Sequence, residues 1–438
     1  MFRFLHTGDL HLDSPFVGIS TDVPPAIGAI LRDSTLTAWR RVVDLALEER
    51  VDFFLVAGDA FENSNRTLQG QVHFRDGLRR LADAGIPSFV VTGNHDHESG
   101  RIPAVTWPEL AHRFSTSRVE AMPVFRDGQE IARIYGIGYR VRDVKDNLAA
   151  RFSKDADAPF AVGLLHANVG GDLSAGNYAP CTLDDLRRSG MDYWALGHIH
   201  RHQVLSAERP TAVYCGNPQG RDPGETEPRG CYLVTAKDSG EILPEFRAVD
   251  EVRWQLLSVA IAGITTEEGI ADAVAGAVDQ ARSTAERSVV ARVTLTGRGP
   301  MHRELLQPGT LNGILQVSRE NLGSASPFAW VESLRNATRP EMDIEARRQA
   351  DDFLGGVLRL FATTRAELLA GVAGDAGGGG TADTAEGRAA GLDSVLDDLY
   401  ANTRARSPLR AHRPHGADLV AVLDAAEALV VDRLADEG

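Results

Sequence analysis

The chain has 438 residues, 43% of them hydrophobic and 24% charged; this is globular composition, and at about 150 residues per domain it allows two or three domains and excludes wholesale disorder. Its 46 Lys and Arg against 61 Asp and Glu leave a net charge of −15, which excludes a general nucleic-acid binder working through excess cations, so a DNA substrate would need local basic patches, metal ions or a partner. No run approaches the ~20 apolar residues of a membrane span, the start MFRFLHTGDLH turns polar too soon for a signal peptide, and Cys181, Cys215 and Cys231 form no C-x-x-C pair, so the expectation is a cytoplasmic protein with reduced thiols and no membrane association.

Short apolar runs between polar, Gly-rich turns predict strands at 2–6, 52–57, 87–92, 132–138, 161–166, 193–196, 211–214 and 230–234,. Between them a helix is expected from about Asp33 to Glu49, with Leu36, Trp39, Val43 and Leu47 on one stripe, and another from about Leu68 to Ala84,. Such alternation points to a layered α/β domain. From about Val249 the texture changes: strand-like 254–261, a helix from about Glu267 to Ala285 and strand-like 289–296 make a β-α-β unit of an appended α+β domain. A helix is expected over about Ile344 to Ala370, carrying Phe353, Leu354, Val357, Leu358 and Phe361. Residues 371–391, Gly/Ala-rich and nearly devoid of large apolar side chains, read as a flexible linker,. Two short helical patterns follow, around 392–400 and 417–435, separated by RARSPLRAHRPH.

Five motifs in the first 200 residues place a metal-ligating side chain just past an apolar strand: Asp9-Leu10-His11, Gly58-Asp59, Gly93-Asn94-His95-Asp96, His166 and Gly197-His198-Ile199-His200. Strand ends are where α/β domains collect site residues from distant parts of the chain. In D-x-H and H-x-H the ligands are two positions apart and project to one side of an extended chain. The donors Asp9, His11, Asp59, Asn94, His166, His198 and His200 number seven, more than one transition metal takes, so they suit two ions sharing a carboxylate. With no thiolate, the set argues against a purely structural zinc site and fits Mn, Fe, Zn, Co or Ni. Two such ions roughly 3.5 to 4 Å apart are the apparatus for in-line attack at phosphorus.

In this order, the five motifs resemble those of the calcineurin-like metallophosphoesterases. The resemblance implies a four-layer α/β/β/α sandwich in which Asp9, His11, Asp59 and His200 hold one metal, and Asp59, Asn94, His166 and His198 the other. It also implies that His95 stands over the scissile phosphate as proton donor or charge stabiliser, with Asp96 fixing it. The segments DLHLDSPF, GDAFENSNRTL, HANVGGDLSAGNYAPCTLDDL, MDYWALGHIHRHQVL and YCGNPQGRDPGETEPRGCYLV are further similar to the bacterial DNA repair exonuclease group, nuclease subunits of the YhaO and SbcD type. That likeness implies a DNA nuclease with two divalent metal ions, Mn²⁺ by family, partnered by a coiled-coil ABC-type ATPase of the SbcC/YhaN kind; a homodimer is compatible with it. The expected plan is a metallophosphoesterase (nuclease) domain over 1–245, a capping-like α+β domain over 246–340, a helix over 341–370, the linker 371–391 and a helical C-terminal tail over 392–438 that docks a partner. In one place the chain departs from the better-known nucleases. Where they carry a histidine after G-D-x-F, this chain has Glu62, which implies weaker exonuclease action.

His6, His73, His97, His112, His202 and His302 read as solvated or core histidines. The cysteines need no role beyond packing. Asn217 could bind a phosphate or stabilise its loop, the loop being favoured. The run Arg404, Arg406, Arg410 and Arg413, with His412 and His415, could contact DNA or be a solvated connector,. Trp330 reads as a buried anchor rather than a base-stacking platform. Two rival functions stand beside the nuclease. One is a phosphodiesterase or phosphatase for small nucleotides, which the acidic charge favours. The other is a non-catalytic scaffold in an ATPase complex, against which the presence of His95 argues.

Overall fold

The computed structural model describes residues 1–19, 22–62, 67–100, 105–171, 176–374 and 417–435. They form two compact units. The first comprises Met1–Val259, Thr266–Leu295 and Pro308–Asn336; the second comprises Ala260–Thr265, Thr296–Gln307 and the described residues from Ala337 onward.

The first unit begins β1 (Phe2–Thr7), α1 (Pro25–Glu48), β2 (Phe53–Ala57), α2 (Leu68–Asp83), β3 (Ser88–Val91) and β4 (Ala111–Arg113). It continues β5 (Glu120–Arg126), β6 (Gln129–Gly136), β7 (Ala161–His166), α3 (Leu183–Arg188), β8 (Tyr193–Gly197), β9 (Gln203–Ser206), β10 (Thr211–Tyr214), β11 (Gly230–Ala236) and β12 (Ile242–Ala248). Two six-stranded sheets result, in the orders β12-β11-β1-β2-β3-β4 and β5-β6-β7-β8-β10-β9. β1, β2 and β3 run parallel, with Leu5 opposite Phe54 and Leu55 opposite Phe89. β6, β7, β8 and β10 are parallel to one another as well. The carboxyl ends of the central strands therefore gather along one edge of each sheet, the place where open α/β sheets bind ligands.

Side-chain alternation builds the layers. Phe4 turns between the sheets, joining Phe53, Leu55, Phe89, Val162, Leu164, Tyr193 and Val213. Its neighbour Leu5 turns the other way, joining Phe54, Val56 and Val90 against Trp39, Val42 and Val43 of α1 and Phe74 and Leu78 of α2. On the outer face of the second sheet Leu165, Trp194, Leu196 and Tyr214 pack with Phe152 and with Leu186 of α3. The architecture is the four-layer α/β/β/α sandwich. α1 starts at Pro25, eight residues before the expected Asp33, because a proline at the first helical position has no N–H to leave unpaired,.

The chain continues with β13 (Val252–Ala260), α4 (Glu267–Ala285), β14 (Ser288–Thr296), β15 (Arg298–Gly299), α5 (His302–Leu305), α6 (Thr310–Leu322), β16 (Ala329–Asn336) and β17 (Arg339–Pro340). β13, β14 and β16 form a three-stranded sheet, so the expected β-α-β unit gains a further helix and strand. Trp330, on β16, is only 7% exposed and packs with Trp254, Val290, Phe328 and Leu31 of α1; it is an anchor, with the Arg319 guanidinium over its ring.

In the second unit β15 pairs with β17, followed by α7 (Ile344–Gln349), α8 (Phe353–Gly374) and α9 (Ala417–Ala435). The single helix expected over 344–370 is two helices. Ala350 is extended, with ψ 140°, and the Asp352 carboxylate caps a new start by accepting from Gly355 N at 2.8 Å,. α8 then runs on to Gly374, into the segment expected to be linker. Residues 375–391, the pattern at 392–400 and the basic run from Arg404 to His415 lie outside the described residues. α8 and α9 share a small core of Leu354, Leu358 and Val431, and Arg365 pairs with Asp424 and Glu427.

Candidate metal centre

β1, β2, β3, β7 and β8 each end at a motif residue, and the sandwich brings these ends together. Glycines make the approach possible. A Cβ at Gly93 would lie 2.3 Å from Asp59 Oδ1, and one at Gly197 would lie 2.0 Å from Ala57 O,. Residues of the motifs are bent as well: Asp9, His11, Asp59 and His198 have φ of 48°, 42°, 50° and 101°. Left-handed backbone at a non-glycine residue costs on the order of 1–3 kcal/mol and persists where the surroundings impose it, as in functional sites. Here backbone bonds impose it: Asp9 N donates to Gly58 O (2.9 Å) and His11 N to Asp59 O (3.0 Å).

Three of the four imidazoles have one nitrogen committed to the protein by a hydrogen bond, and His11 Nδ1 is buried without one among the described residues. His166 Nδ1 donates to Ala57 O at 2.9 Å, His198 Nε2 to Gly176 O at 2.9 Å, and His200 Nδ1 to Glu225 Oε1 at 2.6 Å. His11 Nδ1 lies 3.4 Å from Glu62 Oε2. Such partners fix the tautomer and aim the opposite nitrogen. The aimed nitrogens converge: His11 Nε2 and His200 Nε2 are 3.1 Å apart, and His166 Nε2 stands 3.0 Å from Asn94 Oδ1 and 3.2 Å from Asp59 Oδ2. Asp9 accepts the His198 backbone N–H on both oxygens, at 3.1 and 3.0 Å.

Among the described residues three groups of donors have ligand atoms within 4.8 Å of one another, none of them including His198: one is His11 with Glu62 and His95, and the other two are Asp9 with His11 and His200, and Asp9 with Asp59 and His166. Asp9 is common to both, whereas the resemblance gives the bridge to Asp59. Lone pairs facing each other at such range call for a shared cation, and the nitrogen and oxygen donor set fits divalent transition metals. The family uses a dinuclear divalent centre, and the residues present fit one.

The electrostatics differ among the imidazoles. Burial disfavours the His166 imidazolium, but the Asp59 charge and hydrogen bond and the Asp9 charge outweigh it and raise the pKa to about 9, so a bound cation would have to displace a proton there. Burial and, next, the Arg221 charge push the His11 imidazole down to about 3, and burial pushes His198 down to about 4, so both are neutral and free to ligate near pH 7. Burial lifts the Asp9 carboxyl to about 6. At Asp59 burial works the same way but is outweighed by His166, His11 and His95, which hold the carboxyl well below the usual range.

His95 stands beside this group. Its N–H donates to Asp59 Oδ1 at 2.8 Å, and its ring Nδ1 is 2.5 Å from Glu62 Oε1. Burial disfavours the imidazolium, but the Glu62 hydrogen bond and the Asp59 charge outweigh it and raise the pKa. Asp96, expected to fix His95, places its carboxylate on backbone: Oδ1 accepts from Gly93 N at 2.6 Å and Oδ2 from Ala60 N at 2.9 Å. It thereby clamps the G-N-H-D turn to the Asp59 turn, while Glu62 holds the His95 ring.

The sequence marked Glu62 only as a departure and gave Glu225 no role. The signal for Glu225 was the string GRDPGETEPRG, whose acidic residues cannot be ranked without the loop's path. Asn217 stabilises its loop: Nδ2 donates to Gln219 O and to Glu225 Oε1, both at 3.0 Å. His202 stacks on Phe246 at 3.8 Å and lies in none of the donor groups found among the described residues. Over the centre opens a cleft of about 900 Å³, lined by Asp59, Asn94, His95, His198 and His200 together with Arg142, Arg201 and Arg229.

A calcineurin-like phosphoesterase family model matches residues 2–202, and one for the middle domain of metallophosphoesterase YhaO matches residues 254–339. The metallophosphoesterase YhaO of Bacillus subtilis (strain 168) is 39% identical over 354 residues, covering 81% of this chain and 85% of that relative. The DNA double-strand break repair protein Mre11 of Haloferax volcanii is 30% identical over 244 residues, 53% of this chain and 49% of its own length. The SbcD component of the nuclease SbcCD of B. subtilis is 25% identical over 260 residues, 49% of this chain and 61% of that relative. With the donors converging on one edge of a four-layer sandwich, the chain belongs to the calcineurin-like metallophosphoesterases and is a phosphoester hydrolase.

Proposed function

We propose that the chain is a DNA nuclease that hydrolyses phosphodiester bonds in DNA repair, with Mn²⁺ as its metal and the cytoplasm as its compartment. The ligands in this reading are Asp9, His11, Asp59, Asn94, His166, His198 and His200. The observation that carries it is the cleft, in which four of the ligands (Asp59, Asn94, His198 and His200), His95 and three arginines line one space on an otherwise acidic chain. Arg142 offers a cation to a phosphate backbone there; Arg201 is paired with Glu227, and Asp222, Glu225 and Glu227 line the same space, so bound metal ions would have to supply most of the compensating charge,. Bound divalent ions would supply Lewis acidity and a nucleophile at neutral pH. His95, with Nδ1 held by Glu62, gives the Nε2 proton to the departing 3′ oxygen in this reading. Asp96 positions the turn that carries it.

The relatives' names support the substrate, since Mre11 and SbcD are a DNA repair protein and a nuclease subunit. The partner in this reading is the coiled coil of an ABC-type ATPase, docked by residues after about 340. Exposed Phe353 and Leu360 on α8 and Val422 and Leu429 on α9 support it, as apolar helix faces suit helix-to-helix recognition. A small-nucleotide phosphodiesterase is favoured by one observation only, the net charge of −15.

The test is metal analysis of the purified protein, then hydrolysis of labelled duplex and single-stranded DNA and of a small chromogenic phosphodiester in Mn²⁺. Cleavage of DNA that disappears in Asp59→Ala is the expected result. Hydrolysis of the chromogenic diester alone would favour the small-nucleotide reading, and a fully metallated protein inert to both would favour a scaffold.

A further inference from the structure

The loop from Gly216 to Arg229, between β10 and β11, carries a guanidinium that the mechanism above does not use. Its backbone is fixed to the metal centre. Gly216, with φ of 71°, turns so tightly that a Cβ would lie 2.8 Å from His200 O and 2.8 Å from His202 N. Arg221 N donates to Glu225 Oε2 at 2.6 Å, and Arg221 O accepts from Val17 N at 2.8 Å. Glu225 holds His200 with its other oxygen, so one carboxylate ties Arg221 to a ligand of the centre.

The Arg221 side chain is not tied. Its Nε is buried without a hydrogen-bond partner, and among the described residues its guanidinium forms no ion pair, although it feels the charges of Glu225, Glu62, Asp59 and Asp9. Its neighbours differ. Arg229, whose Nε is likewise buried and unpartnered, is held through Nη1 by Asn217 Oδ1 at 3.2 Å and by His200 O, and Arg201 is paired with Glu227 at 3.2 Å. A buried donor without a partner is costly and calls for an explanation. Charge counting supplies one. Two bound divalent ions would offset nearby carboxylates such as Asp9, Asp59, Glu62 and Glu225, and the guanidinium would then present its charge to an incoming anion. A phosphodiester carries a single negative charge, and the planar guanidinium fork matches its two non-bridging oxygens.

We propose that Arg221 is a substrate-binding residue whose guanidinium receives the non-bridging oxygens of the scissile phosphodiester. This rests on the phosphodiesterase reading and adds the residue that recognises the anion.

The test uses the full-length, metal-loaded protein as wild type, Arg221→Gln and Arg221→Lys. Bound metal, thermal midpoint, steady-state hydrolysis of bis(p-nitrophenyl) phosphate, inhibition by inorganic phosphate and calorimetric phosphate binding are measured. Arg221→Gln should keep its metal while KM and the phosphate inhibition constant rise about 10- to 100-fold, the range for a charged hydrogen bond, with Arg221→Lys recovering part of the loss. A glutamine variant with wild-type KM and phosphate affinity would overturn the proposal, as would loss of metal in step with activity. If the wild type hydrolyses no phosphodiester, the functional reading fails on its own. Phosphate binding by calorimetry then decides Arg221, with equal affinity in wild type and Arg221→Gln refuting it.

Discussion

Replacing Glu62 by glutamine keeps the shape of the contact to His95 and removes its charge. The contact is short, 2.5 Å, between side chains that are 28% and 21% exposed. A hydrogen bond to a charged group contributes about 1.5–3 kcal/mol, and partial exposure places this one near the lower end. A loss of about 1.4 kcal/mol is tenfold in rate. If His95 protonates the leaving oxygen, the loss should depend on that oxygen: p-nitrophenolate departs without help, whereas a sugar 3′ alkoxide needs the proton. Glu62→Gln should therefore cut DNA hydrolysis about tenfold and bis(p-nitrophenyl) phosphate hydrolysis by less, the shared part of the loss reflecting the contact of the other Glu62 oxygen with His11. The Glu62 bond raises the His95 pKa, so the alkaline limb of the DNA pH–rate profile should also move to lower pH in the variant. Equal loss on both substrates, with the pH profile unmoved, would refute the role of Glu62 as the group that orients a proton donor.

Asp59→Ala should lose most bound metal and all hydrolysis, whereas His95→Ala should keep its metal and lose most activity; metal analysis beside the rate assay separates the two, and equal metal loss would contradict the division of roles. Gly93→Ala should empty the site without replacing a ligand, since the new methyl would meet Asp59 Oδ1 at 2.3 Å and displace it, and metal titration against wild type checks it. His6 is buried between the sheets, its Nδ1 3.0 Å from Tyr193 Oη, with its pKa pushed down by burial from 6.5 to about 3. The unfolded chain binds a proton there that the fold refuses, so stability should fall by about 2 kcal/mol between pH 7 and pH 5 on this account. Thermal melts of wild type and His6→Gln should show a shallower acid loss in the variant.

Legibility from sequence followed burial. β7 and β10 have the bounds that their apolar runs announce, and both strands are buried throughout. β5, β9 and β12 went unread because they lie at sheet edges, where half the side chains face water and Pro123 or Pro244 interrupts the run,. Their strand character comes from pairing, as in the Cys231–Arg247 register, which is not visible in a local window. The break in the helix over 344–370 is of the same kind: its apolar stripe spans it, and only the extended Ala350 ends one helix and begins the next. In the site, residues that follow strands within one motif were readable. Their supports were not, because His200 is held by a residue 25 positions on, His198 by Gly176 O 22 positions back and His166 by Ala57 O 109 positions back.

The His166 to Ala57 bond crosses from β7 in one sheet to β2 in the other. A cation held by Asp9, Asp59 and His166 would join the same two sheets through their strand ends, so loading the centre fastens one rim of the sandwich, while the opposite rim is held by apolar packing and by Arg126 of β5, which reaches Met1 O and Asp52. Chelation should then leave a lopsided signature in amide exchange. Protection should drop first at the turns Gly8–His11, Gly58–Phe61 and Gly93–Asp96, with the starts of the same strands, around Arg3 and Phe53, still slow. The centre would thus serve as a hinge pin for local opening as well as a place for chemistry, and the order in which those amides exchange would time its release.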